Sequence, residues 1–334
     1  MRVGIIGAGL QGRRRAPVVK NWPGAEIKII TAEHLTHAEN LAGALGCRAG
    51  VGWRDVVDDD EIDAVMVLTP PHLHAPISVA ALRNGKHVFC EKPLTRTLDE
   101  AAEMVQAAEA AQRVLKCGFN HRHHPAVAEA KALVDAGELG RILFARSRYG
   151  ICGRPGYENE WRADPERAAG GQFMEQGIHV IDLYRWIVGE IREVTCMTGV
   201  QYFHEQQMDD NGMAVFRAAN GALLSLHASF TNWKNTFHLE IYGSEGYVVV
   251  DGLGASYGTE KLIFGKRDFD KPFNDHLTEY RGGDKSWDLE WKEFCDAIDE
   301  NRQPSGDGRD GYEALKIALA AYEAEREKRA IVID

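Results

Sequence analysis

A segment in the middle of the chain carries three residues whose types and spacing suit proton transfer. Glu175, His179 and Asp182 are spaced i, i+4 and i+7, so an α-helix would place all three on one face. Most other residues between Gly170 and Val188 are apolar, which indicates a helix buried nearly all round. Polar groups on such a helix are costly unless they face a polar cleft or pair with each other. We therefore expect either a general base, His179, oriented by a carboxylate, or a structural His–Asp pair.

The N-terminus carries a glycine pattern that is typical of dinucleotide binding. The run Gly7-Ala8-Gly9-Leu10-Gln11-Gly12 has the form G-x-G-x-x-G, and it follows a strand-like run and opens a helix-like one. The first glycine permits a tight turn, the second lets the backbone approach a pyrophosphate, and the third allows close helix–strand packing. Amide groups at the start of the helix then bind phosphate oxygens. The predicted cofactor-binding residues here are Gly7, Gly9, Leu10, Gln11 and Gly12.

The residues after the second predicted strand bear on which dinucleotide is bound. Glu33 lies about twenty residues past the glycines, where an acid commonly holds the adenine ribose hydroxyls. Three arginines, Arg13, Arg14 and Arg15, follow the glycine loop and would suit the 2′-phosphate of NADP. Because Glu33 would repel that phosphate, the sequence favours NAD and leaves NADP open.

A lysine stands just past the carboxyl end of another predicted strand, where open α/β sheets bind ligands. Lys92 is followed by Pro93, which keeps the lysine backbone out of the α region and helps to aim its ammonium group. Beside a bound nicotinamide, such a lysine donates a hydrogen bond to a developing alkoxide. A solvated surface lysine is the alternative. His72 and His74 follow the strand that ends at Thr69, so they belong to the same predicted cleft.

Two domains are needed to position these residues. A chain of 334 residues exceeds what one hydrophobic core usually serves. Up to about residue 120, short apolar runs alternate with helical patterns at 11–20, 36–45, 75–84 and 98–111, which predicts a doubly wound parallel sheet. Beyond it, strand pairs flank Asn220-Gly221 and residues 243–246, which predicts an α+β domain with a mostly antiparallel sheet. We place the first domain at 1–120 and the second at 121–334.

Composition disfavours several classes of protein. Thirty-nine basic against fifty acidic residues give a net charge of −11, which argues against a nucleic-acid binder. There is no apolar run of membrane-spanning length and no signal-peptide pattern, so we expect a soluble, cytoplasmic protein. The six cysteines lack C-x-x-C spacing, which favours reduced thiols. His121, His123 and His124 share their spacing with no acidic or cysteine ligand, so we expect no metal.

Four motifs stand in the order seen in a known family, and the resemblance covers nearly the whole chain. The chain is similar to the glucose–fructose oxidoreductase, inositol dehydrogenase and rhizopine-catabolism (Gfo/Idh/MocA) family. The resemblance implies an N-terminal Rossmann dinucleotide-binding domain and a C-terminal α+β domain with an open-faced, mostly antiparallel sheet that commonly mediates dimers or tetramers. The motifs are Gly7-Ala8-Gly9-Leu10-Gln11-Gly12, Thr69-Pro70-Pro71-His72-Leu73-His74, Glu91-Lys92-Pro93-Leu94 and Gly170-Gly171-x-x-x-Glu175-x-Gly177-x-His179-x-x-Asp182.

The resemblance also implies roles for individual residues. Lys92 would contact the nicotinamide ribose and the reacting hydroxyl, and His179 would be the general acid/base. Glu175 stands where the family usually has aspartate, so it would orient His179, bind a substrate hydroxyl, or both. Further cofactor contacts are implied for Glu33, Thr69, Pro70, His74, Glu91, Asn120, Trp161 and Arg162. Further substrate contacts are expected at Arg122, Tyr149 and Tyr157.

The implied activity is hydride transfer between NAD, or NADP, and a CH–OH group of a sugar, inositol or nucleotide-linked sugar, without a metal. One alternative keeps the fold but uses tightly held NAD to cleave a glycosidic bond, so that no stoichiometric NADH appears. A second alternative is a non-catalytic dinucleotide-binding regulator, which would tolerate the loss of Lys92 or His179. The particular sugar, the carbon that reacts and the oligomer size are left open.

Overall fold

The computed structural model describes residues 1–204 and 207–334 and divides the chain into two compact units. The first unit comprises Met1–Asn120 and Trp287–Glu313, and the second comprises His121–Ser286 and Ala314–Asp334. The units therefore separate at residue 120, where the sequence predicts a boundary. Residues 287–313, which the sequence prediction assigns to the second domain, pack with the first.

The strands and helices of the described residues are numbered here in chain order. The strands are β1 (Arg2–Ile6), β2 (Glu26–Thr31), β3 (Arg48–Gly50), β4 (Ala64–Val67), β5 (His87–Cys90), β6 (Leu115–Cys117), β7 (Ile142–Cys152), β8 (Ile191–Gly199), β9 (Asn211–Ala218), β10 (Leu223–Ser229), β11 (Thr231–Gly243), β12 (Gly246–Asp251), β13 (Glu260–Lys266), β14 (His276–Tyr280) and β15 (Ile331–Val332). The helices are α1 (Leu10–Asn21), α2 (Leu35–Leu45), α3 (Arg54–Val57), α4 (His74–Arg83), α5 (Leu98–Ala111), α6 (Pro125–Asp135), α7 (Ile178–Ile187), α8 (Ser286–Asp299) and α9 (Gly308–Glu327).

The first unit is built on a six-stranded parallel sheet in the order β3-β2-β1-β4-β5-β6. This order is that of dinucleotide-binding doubly wound folds, so the predicted fold class is confirmed. The helices α1, α2, α4 and α5 begin and end within one residue of the predicted ranges. The α5 N-terminus is capped as predicted, since Thr97 Oγ1 accepts a hydrogen bond of 3.3 Å from the Glu100 backbone N–H.

The segment from Trp287 to Glu313 completes the core of the first unit. Trp291 and Phe294 of α8 are buried in the cluster that contains Val3 and Phe89. The rings of Phe89 and Phe294 meet edge to face with centroids 5.8 Å apart. The sequence analysis does not predict α8, and its apolar face explains why the segment belongs with the parallel sheet.

The second unit contains a nine-stranded sheet in the order β14-β13-β12-β11-β7-β10-β9-β8-β15. The pair β7–β10 is parallel, and the other pairs are antiparallel, so the predicted mostly antiparallel sheet is confirmed. Strand β9 alternates strictly: Ala214 and Phe216 are buried, whereas Met213 and Val215 are exposed. One face of this sheet is therefore covered and the other is open.

The predicted helix from about Gly170 to Val188 has two parts in the structure. A π-helical turn spans Phe173–Gly177, and α7 follows it. Because a π turn holds more residues than an α turn, Glu175 is offset from the α-helical face assumed for it. A Cβ atom at Gly212 would lie 2.7 Å from the Phe173 ring, so a glycine in β9 makes room for this turn.

Across the part of the chain that the structure describes, none of the helices combines the length and the apolar character that crossing a lipid bilayer requires.

Candidate active site

The glycine loop after β1 has the shape that a pyrophosphate needs. Gly7 has φ +116°, and a Cβ there would lie 2.5 Å from the Leu68 carbonyl oxygen. A Cβ at Gly12 would lie 2.3 Å from the Gly7 carbonyl oxygen, so this position requires close packing of α1. At Gly9 a Cβ would meet no atom within 4 Å, which leaves the backbone open to a ligand. Each glycine therefore does what the dinucleotide motif requires of it, and NAD fits this loop.

Three buried polar atoms at the same edge of the parallel sheet have no hydrogen-bond partner among the described residues. They are Gln11 Oε1, Thr31 Oγ1 and Thr69 Oγ1, which follow or end β1, β2 and β4. Buried polar atoms usually have partners, so an unsatisfied group needs an explanation. Ribose hydroxyl and phosphate groups would supply such partners, and Gln11 and Thr69 are among the predicted cofactor contacts.

The three arginines after the glycine loop do not act together. Arg13 and Arg14 are exposed, and Arg13 Nη1 lies 3.4 Å from the Ala8 carbonyl oxygen. Arg15, in contrast, is only 3% exposed and turns into the core of the unit. The expectation that Arg15 could meet a 2′-phosphate is therefore wrong, because its charge is neutralised inside the protein. Glu33 lies exposed just after β2, and its contact with the adenine ribose stays a prediction.

Arg15 is the centre of a buried charge network. Its Nε donates to Glu91 Oε1 at 2.5 Å, and its Nη1 donates to Glu290 Oε2 at 2.7 Å. Its guanidinium lies between the rings of Phe89 and Trp287, at 4.5 and 4.6 Å from their centroids. Burial favours the neutral form, but the two carboxylates outweigh it and raise the pKa of Arg15. The sequence analysis did not predict this network, because Glu290 is distant in the chain.

The network reaches the segment that carries Lys92. The second carboxylate oxygen of Glu91, Oε2, accepts a hydrogen bond of 3.2 Å from the Lys92 backbone N–H. Lys92 is half-buried and directly follows β5 at the carboxyl edge of the sheet, and its peptide bond to Pro93 is cis. Glu91 therefore contacts the lysine backbone, and no contact with a cofactor is needed to explain its burial.

His74 connects the two loops that follow β4 and β5. Its Nδ1 lies 3.0 Å from the Pro93 carbonyl oxygen, and its Nε2 lies 2.8 Å from the Thr69 carbonyl oxygen. Burial lowers the pKa of His74, and the carbonyl oxygens act in the opposite direction. Both ring nitrogens face backbone carbonyls. His74 therefore holds the predicted cofactor residue Thr69 beside the segment that contains Lys92 and Pro93. The neighbouring Pro70 precedes a 3₁₀ turn, Pro71–Leu73.

In the second unit, His179 belongs to a cluster of imidazole and phenol groups. Its ring stacks on that of His121, with centroids 3.9 Å apart and an angle of 21° between the planes. His121 Nε2 lies 3.0 Å from Tyr149 Oη, and Tyr149 Oη donates to Tyr257 Oη at 3.4 Å. His179, His121 and Tyr149 are all buried. The elements that bring them together are α7, the 3₁₀ turn Asn120–His123, β7 and the turn Ala255–Tyr257.

Asp182 and Arg122 form a buried ion pair through two hydrogen bonds. Arg122 Nε and Nη2 donate to the two oxygens of Asp182, at 2.8 and 2.5 Å. The side chain of Asp182 is 0% exposed and that of Arg122 is 3% exposed. The structure thus gives Asp182 a structural partner, as one alternative predicted, although the residue is Arg122. Arg122, expected to bind substrate, has two of its donors committed to this carboxylate.

Glu175 lies in the π turn beside a predicted cofactor residue. The Nε atom of Arg162 is 3.8 Å from Glu175 Oε2, and the Arg162 guanidinium covers the Trp161 ring at 4.4 Å. Tyr157 is buried against Phe230, with ring centroids 4.3 Å apart. Burial, and then the charge of Glu175, raise the pKa of Tyr157. These residues therefore share one environment within the second unit.

A second network, which the sequence analysis missed, holds the start of the π turn. Tyr322 Oη donates to Asp209 Oδ1 at 2.8 Å and accepts hydrogen bonds from the backbone N–H groups of Gly171 and Met174 at 3.1 and 3.2 Å. Asp209 Oδ2 accepts from the Phe173 N–H at 2.8 Å. The network fixes the backbone on which Glu175 is carried.

The histidines next to Arg122 have protein partners. His124 Nδ1 lies 2.9 Å from Glu260 Oε2, and His121 contacts Tyr149 as described above. No group of three or more His, Cys, Asp or Glu side chains within 1–204 and 207–334 is arranged to hold a metal ion.

Asn120, a predicted cofactor contact, is buried at the end of the first unit's N-terminal segment.

Two curated relatives match almost the whole chain. Levoglucosan dehydrogenase of Pseudarthrobacter phenanthrenivorans is 29% identical over 378 residues, which cover 97% of this chain and 96% of the relative. The scyllo-inositol 2-dehydrogenase (NAD(+)) of Bacillus subtilis is 26% identical and matches 100% of this chain and 96% of its own length. Both relatives are named as dehydrogenases.

A solved structure and two family models agree with these matches. Levoglucosan dehydrogenase in complex with NADH and levoglucosan superposes with a TM-score of 0.90, at 28% identity, over 100% of this chain and 99% of that one. Residues 1–119 match the oxidoreductase family with an NAD-binding Rossmann fold, and residues 127–249 match the GFO/IDH/MocA C-terminal domain. With the glycine loop and the strand order of the first unit, these matches show that the chain belongs to the Gfo/Idh/MocA family of NAD-binding oxidoreductases.

Proposed function

We propose that this enzyme transfers hydride between NAD and one CH–OH group of a sugar or cyclitol, with Lys92 stabilising the substrate oxygen and His179 as the acid/base. The observation that carries the proposal is the buried cluster of His179, His121 and Tyr149. Imidazole and phenol groups both donate and accept hydrogen bonds, as the hydroxyls of a sugar do. The named substrates of the relatives, levoglucosan and inositol, are polyols of this kind.

The residues of each unit have separate tasks in this proposal. The amides of Gly9 to Gly12, with Gln11, Thr69 and Glu33, hold NAD, which when bound supplies the hydride acceptor. Lys92 donates a hydrogen bond to the substrate oxygen as negative charge develops there. His179 takes the hydroxyl proton during oxidation and returns it during reduction.

The cluster around His179 supports its role as a base. Stacking on His121 fixes the plane of the imidazole, and the Tyr149 hydroxyl fixes His121 in turn. A fixed ring loses less entropy when it meets the reacting hydroxyl. Glu175, held beside Arg162, is one methylene longer than the aspartate usual in the family, and we assign it to binding a substrate hydroxyl.

A substrate screen tests the proposal directly. Levoglucosan, myo-inositol, scyllo-inositol and common aldoses are mixed with the full-length protein and NAD, then NADP, and NADH absorbance is followed. NADH formed in stoichiometric amount with an oxidised sugar is expected. Cleavage of a glycoside without NADH would favour the hydrolase alternative, and absence of any turnover would favour the regulator.

Variants then test the two catalytic assignments. Lys92→Ala and His179→Ala should each lower kcat by two or more orders of magnitude, since they remove charge stabilisation or proton transfer. The affinity for NADH, measured by fluorescence titration, should change less than about threefold, because neither change touches the glycine loop. Lys20→Ala, an exposed lysine on α1, is the matched control and should retain full activity. Unchanged kcat in either active-site variant would reject that residue's role.

The open face of the second unit supports homo-oligomerisation, and we propose a cytoplasmic homodimer or homotetramer. Met197 and Met213 are partners across β8 and β9, and they are 77% and 58% exposed. Val215 and Leu223 lie on the same face and are also exposed. Contiguous exposed apolar side chains mark interaction surfaces. Light scattering of the wild type should give a multiple of the chain mass, and Met213→Lys should reduce it.

A further inference from the structure

Strand β14 forms one edge of the nine-stranded sheet, and its side chains are exposed on both faces. It ends the strand order, so the backbone groups on its outer side meet no further strand of the part of the chain that the structure describes. His276, Leu277, Thr278 and Glu279 are exposed, and Tyr280 is half-buried. An edge of this kind is a template for pairing with another strand.

The two edges of this sheet are protected to different degrees. Strand β14 pairs with β13 along its whole length without a bulge, and it contains neither proline nor lysine, which often protect edge strands. At the opposite edge, β15 has only two residues, Ile331 and Val332. A very short strand is itself a protection against edge pairing. The fold therefore protects the β15 edge and leaves the β14 edge open.

Both ends of β14 are fixed to other elements of the second unit. The Tyr280 hydroxyl donates a hydrogen bond to Glu129 of α6, and the Tyr247 hydroxyl of β12 donates one to Asp275, the residue before the strand. A strand that is already held in its extended form loses less conformational entropy when it binds a partner. The β14 edge is therefore preorganised for pairing.

Apolar side chains lie on β14 and in the loop that leads into it. Leu277 is 56% exposed, and Phe269 and Phe273 are 86% and 93% exposed. Exposed apolar groups of this size mark interaction surfaces. Residues 266–275 contain three basic and three acidic side chains, so their charge does not select a strongly acidic or basic partner.

The sequence of the edge is complementary to itself in one antiparallel register. In a two-fold interface the same surface of both copies meets, as in most homo-oligomers. With the axis at Thr278, this threonine lies opposite itself in the second copy, and His276 lies opposite Tyr280. Asp275 then lies opposite Arg281 of the second copy, so that an exposed carboxylate meets an exposed cation.

The two neighbouring two-fold registers are unfavourable. An axis at Leu277 would place Asp275 opposite Glu279 of the second copy, and an axis at Glu279 would place that carboxylate opposite itself. Like charges directly opposite each other destabilise a strand pair. The first register avoids both contacts. It also places Phe273 opposite Gly283, where an added Cβ would meet no atom of its own chain within 4 Å, so the ring has room.

We propose that β14 pairs antiparallel with β14 of a second copy of this chain about a two-fold axis at Thr278, so that two nine-stranded sheets become one continuous sheet. Main-chain hydrogen bonds supply the affinity, and the side chains set the register. This contact uses the edge of the sheet, whereas the oligomer contact proposed above uses its open face. It does not rest on the proposed reaction. Two different two-fold contacts together give a tetramer.

Disulfide crosslinking tests the register. The Cα atoms of residue 278 in the two copies would be about 4.5–5.5 Å apart, a distance that suits a disulfide. Full-length Thr278→Cys, in a Cys152→Ser background that removes an exposed thiol, should therefore form a covalent dimer when oxidised glutathione is added. Leu277→Cys is the matched control. It lies diagonal to its counterpart, about 7–8 Å away, and should crosslink at least about fivefold more slowly.

Charge variants of the same residue test the contact without oxidation. Thr278→Asp and Thr278→Lys each place like charges opposite each other, so light scattering of either protein alone should give half the wild-type mass. An equimolar mixture of the two should restore the wild-type mass, because opposite charges then meet. Val332→Asp, on the β15 edge, replaces a side chain that is 72% exposed and should keep the wild-type mass. Circular dichroism should be unchanged in these variants, because both positions are exposed.

The outcomes distinguish the edge contact from the open-face contact. The inference is overturned if Thr278→Asp keeps the wild-type mass, if Leu277→Cys crosslinks as fast as Thr278→Cys, or if the wild type is monomeric at micromolar concentration. A lower mass in Met213→Lys but not in Thr278→Asp would reject the edge contact and retain the open-face contact. A lower mass in Thr278→Asp alone would do the reverse. Turnover in the substrate screen is judged separately, so failure of the proposed reaction leaves these results intact.

Discussion

Arg15 Nε donates a hydrogen bond to Glu91 Oε1 at 2.5 Å, so the helix that follows the glycine loop is tied to the residue before Lys92. Glu91 in turn accepts the Lys92 backbone N–H. A buried guanidinium between two carboxylates and two aromatic rings is well compensated only while every partner is present. The expected site of the dinucleotide and the expected catalytic lysine therefore share one structural support within the first unit.

The first prediction concerns this support. Arg15→Met should lower the free energy of unfolding by about 3–5 kcal/mol, because Glu91 would remain buried without its cation and Glu290 would keep only Lys116, whose Nζ lies 3.7 Å from Glu290 Oε1. Urea denaturation followed by circular dichroism measures the change. Arg14→Met, on the exposed side of the same helix, should shift stability by no more than about 0.5 kcal/mol. Equal effects of the two changes would show that the Arg15 network contributes little.

The second prediction concerns the ion pair that anchors α7. Asp182→Asn keeps the size of the side chain but leaves the Arg122 charge buried, so it should destabilise the second unit by about 3–5 kcal/mol. Differential scanning calorimetry provides the measurement. Glu190→Gln is the control, because the partly exposed Arg185–Glu190 pair should contribute less than about 1 kcal/mol. A thermally unaltered Asp182→Asn protein would contradict the structural role given to this pair.

The third prediction concerns how the ionisation of Asp210 makes the free energy of unfolding depend on pH. Burial opposes its ionisation, but the backbone N–H groups of Phe203, Gln201 and Tyr202 outweigh it and hold the pKa of Asp210 below its usual range. A carboxyl group whose pKa is lower in the folded state stabilises the protein above its unfolded pKa of about 4, and this stabilisation is lost as the pH falls through the folded pKa.

Asp210→Asn should therefore cost about 2 kcal/mol at neutral pH, the value of a charge-assisted hydrogen bond. The cost should shrink as the pH falls below about 4, where the unfolded wild-type chain takes up a proton at this position, and it should vanish once the folded carboxylate is protonated as well. Urea unfolding of both proteins between pH 7 and the acid range measures it. A difference that stays constant through the acid range would exclude ionisation as its cause.

The fourth prediction concerns the choice between NAD and NADP. Glu33→Ala removes a negative charge just after β2, so the ratio of kcat/KM for NAD to that for NADP should fall about fivefold, the effect of one unit charge near a solvated phosphate. Glu39→Ala, an exposed acid on α2, is the control and should leave the ratio unchanged. An identical ratio in the Glu33 variant would mean that this residue does not face the adenine ribose.

Local patterns in the sequence predicted the features that depend on neighbouring residues. The glycine loop, the cap at Thr97, the helices α1, α2, α4 and α5 and the β9–β10 hairpin all follow from the spacing of nearby residues. Each is stabilised largely by contacts within a few positions, so periodicity and turn residues suffice. The family resemblance had the same basis, and the comparisons confirmed it.

Only the tertiary structure decided which distant residues meet. Arg15 pairs with Glu290 across 275 positions, and Tyr322 holds the turn that carries Glu175. The π turn at Phe173–Gly177 depends on the space that Gly212 leaves in another strand. Any oppositely charged side chain that reaches a buried charge can compensate it. The spacing of residues along the chain does not show which side chain reaches it. That selection is made by packing of the whole unit, because desolvation is compensated only where the fold brings an opposite charge into contact.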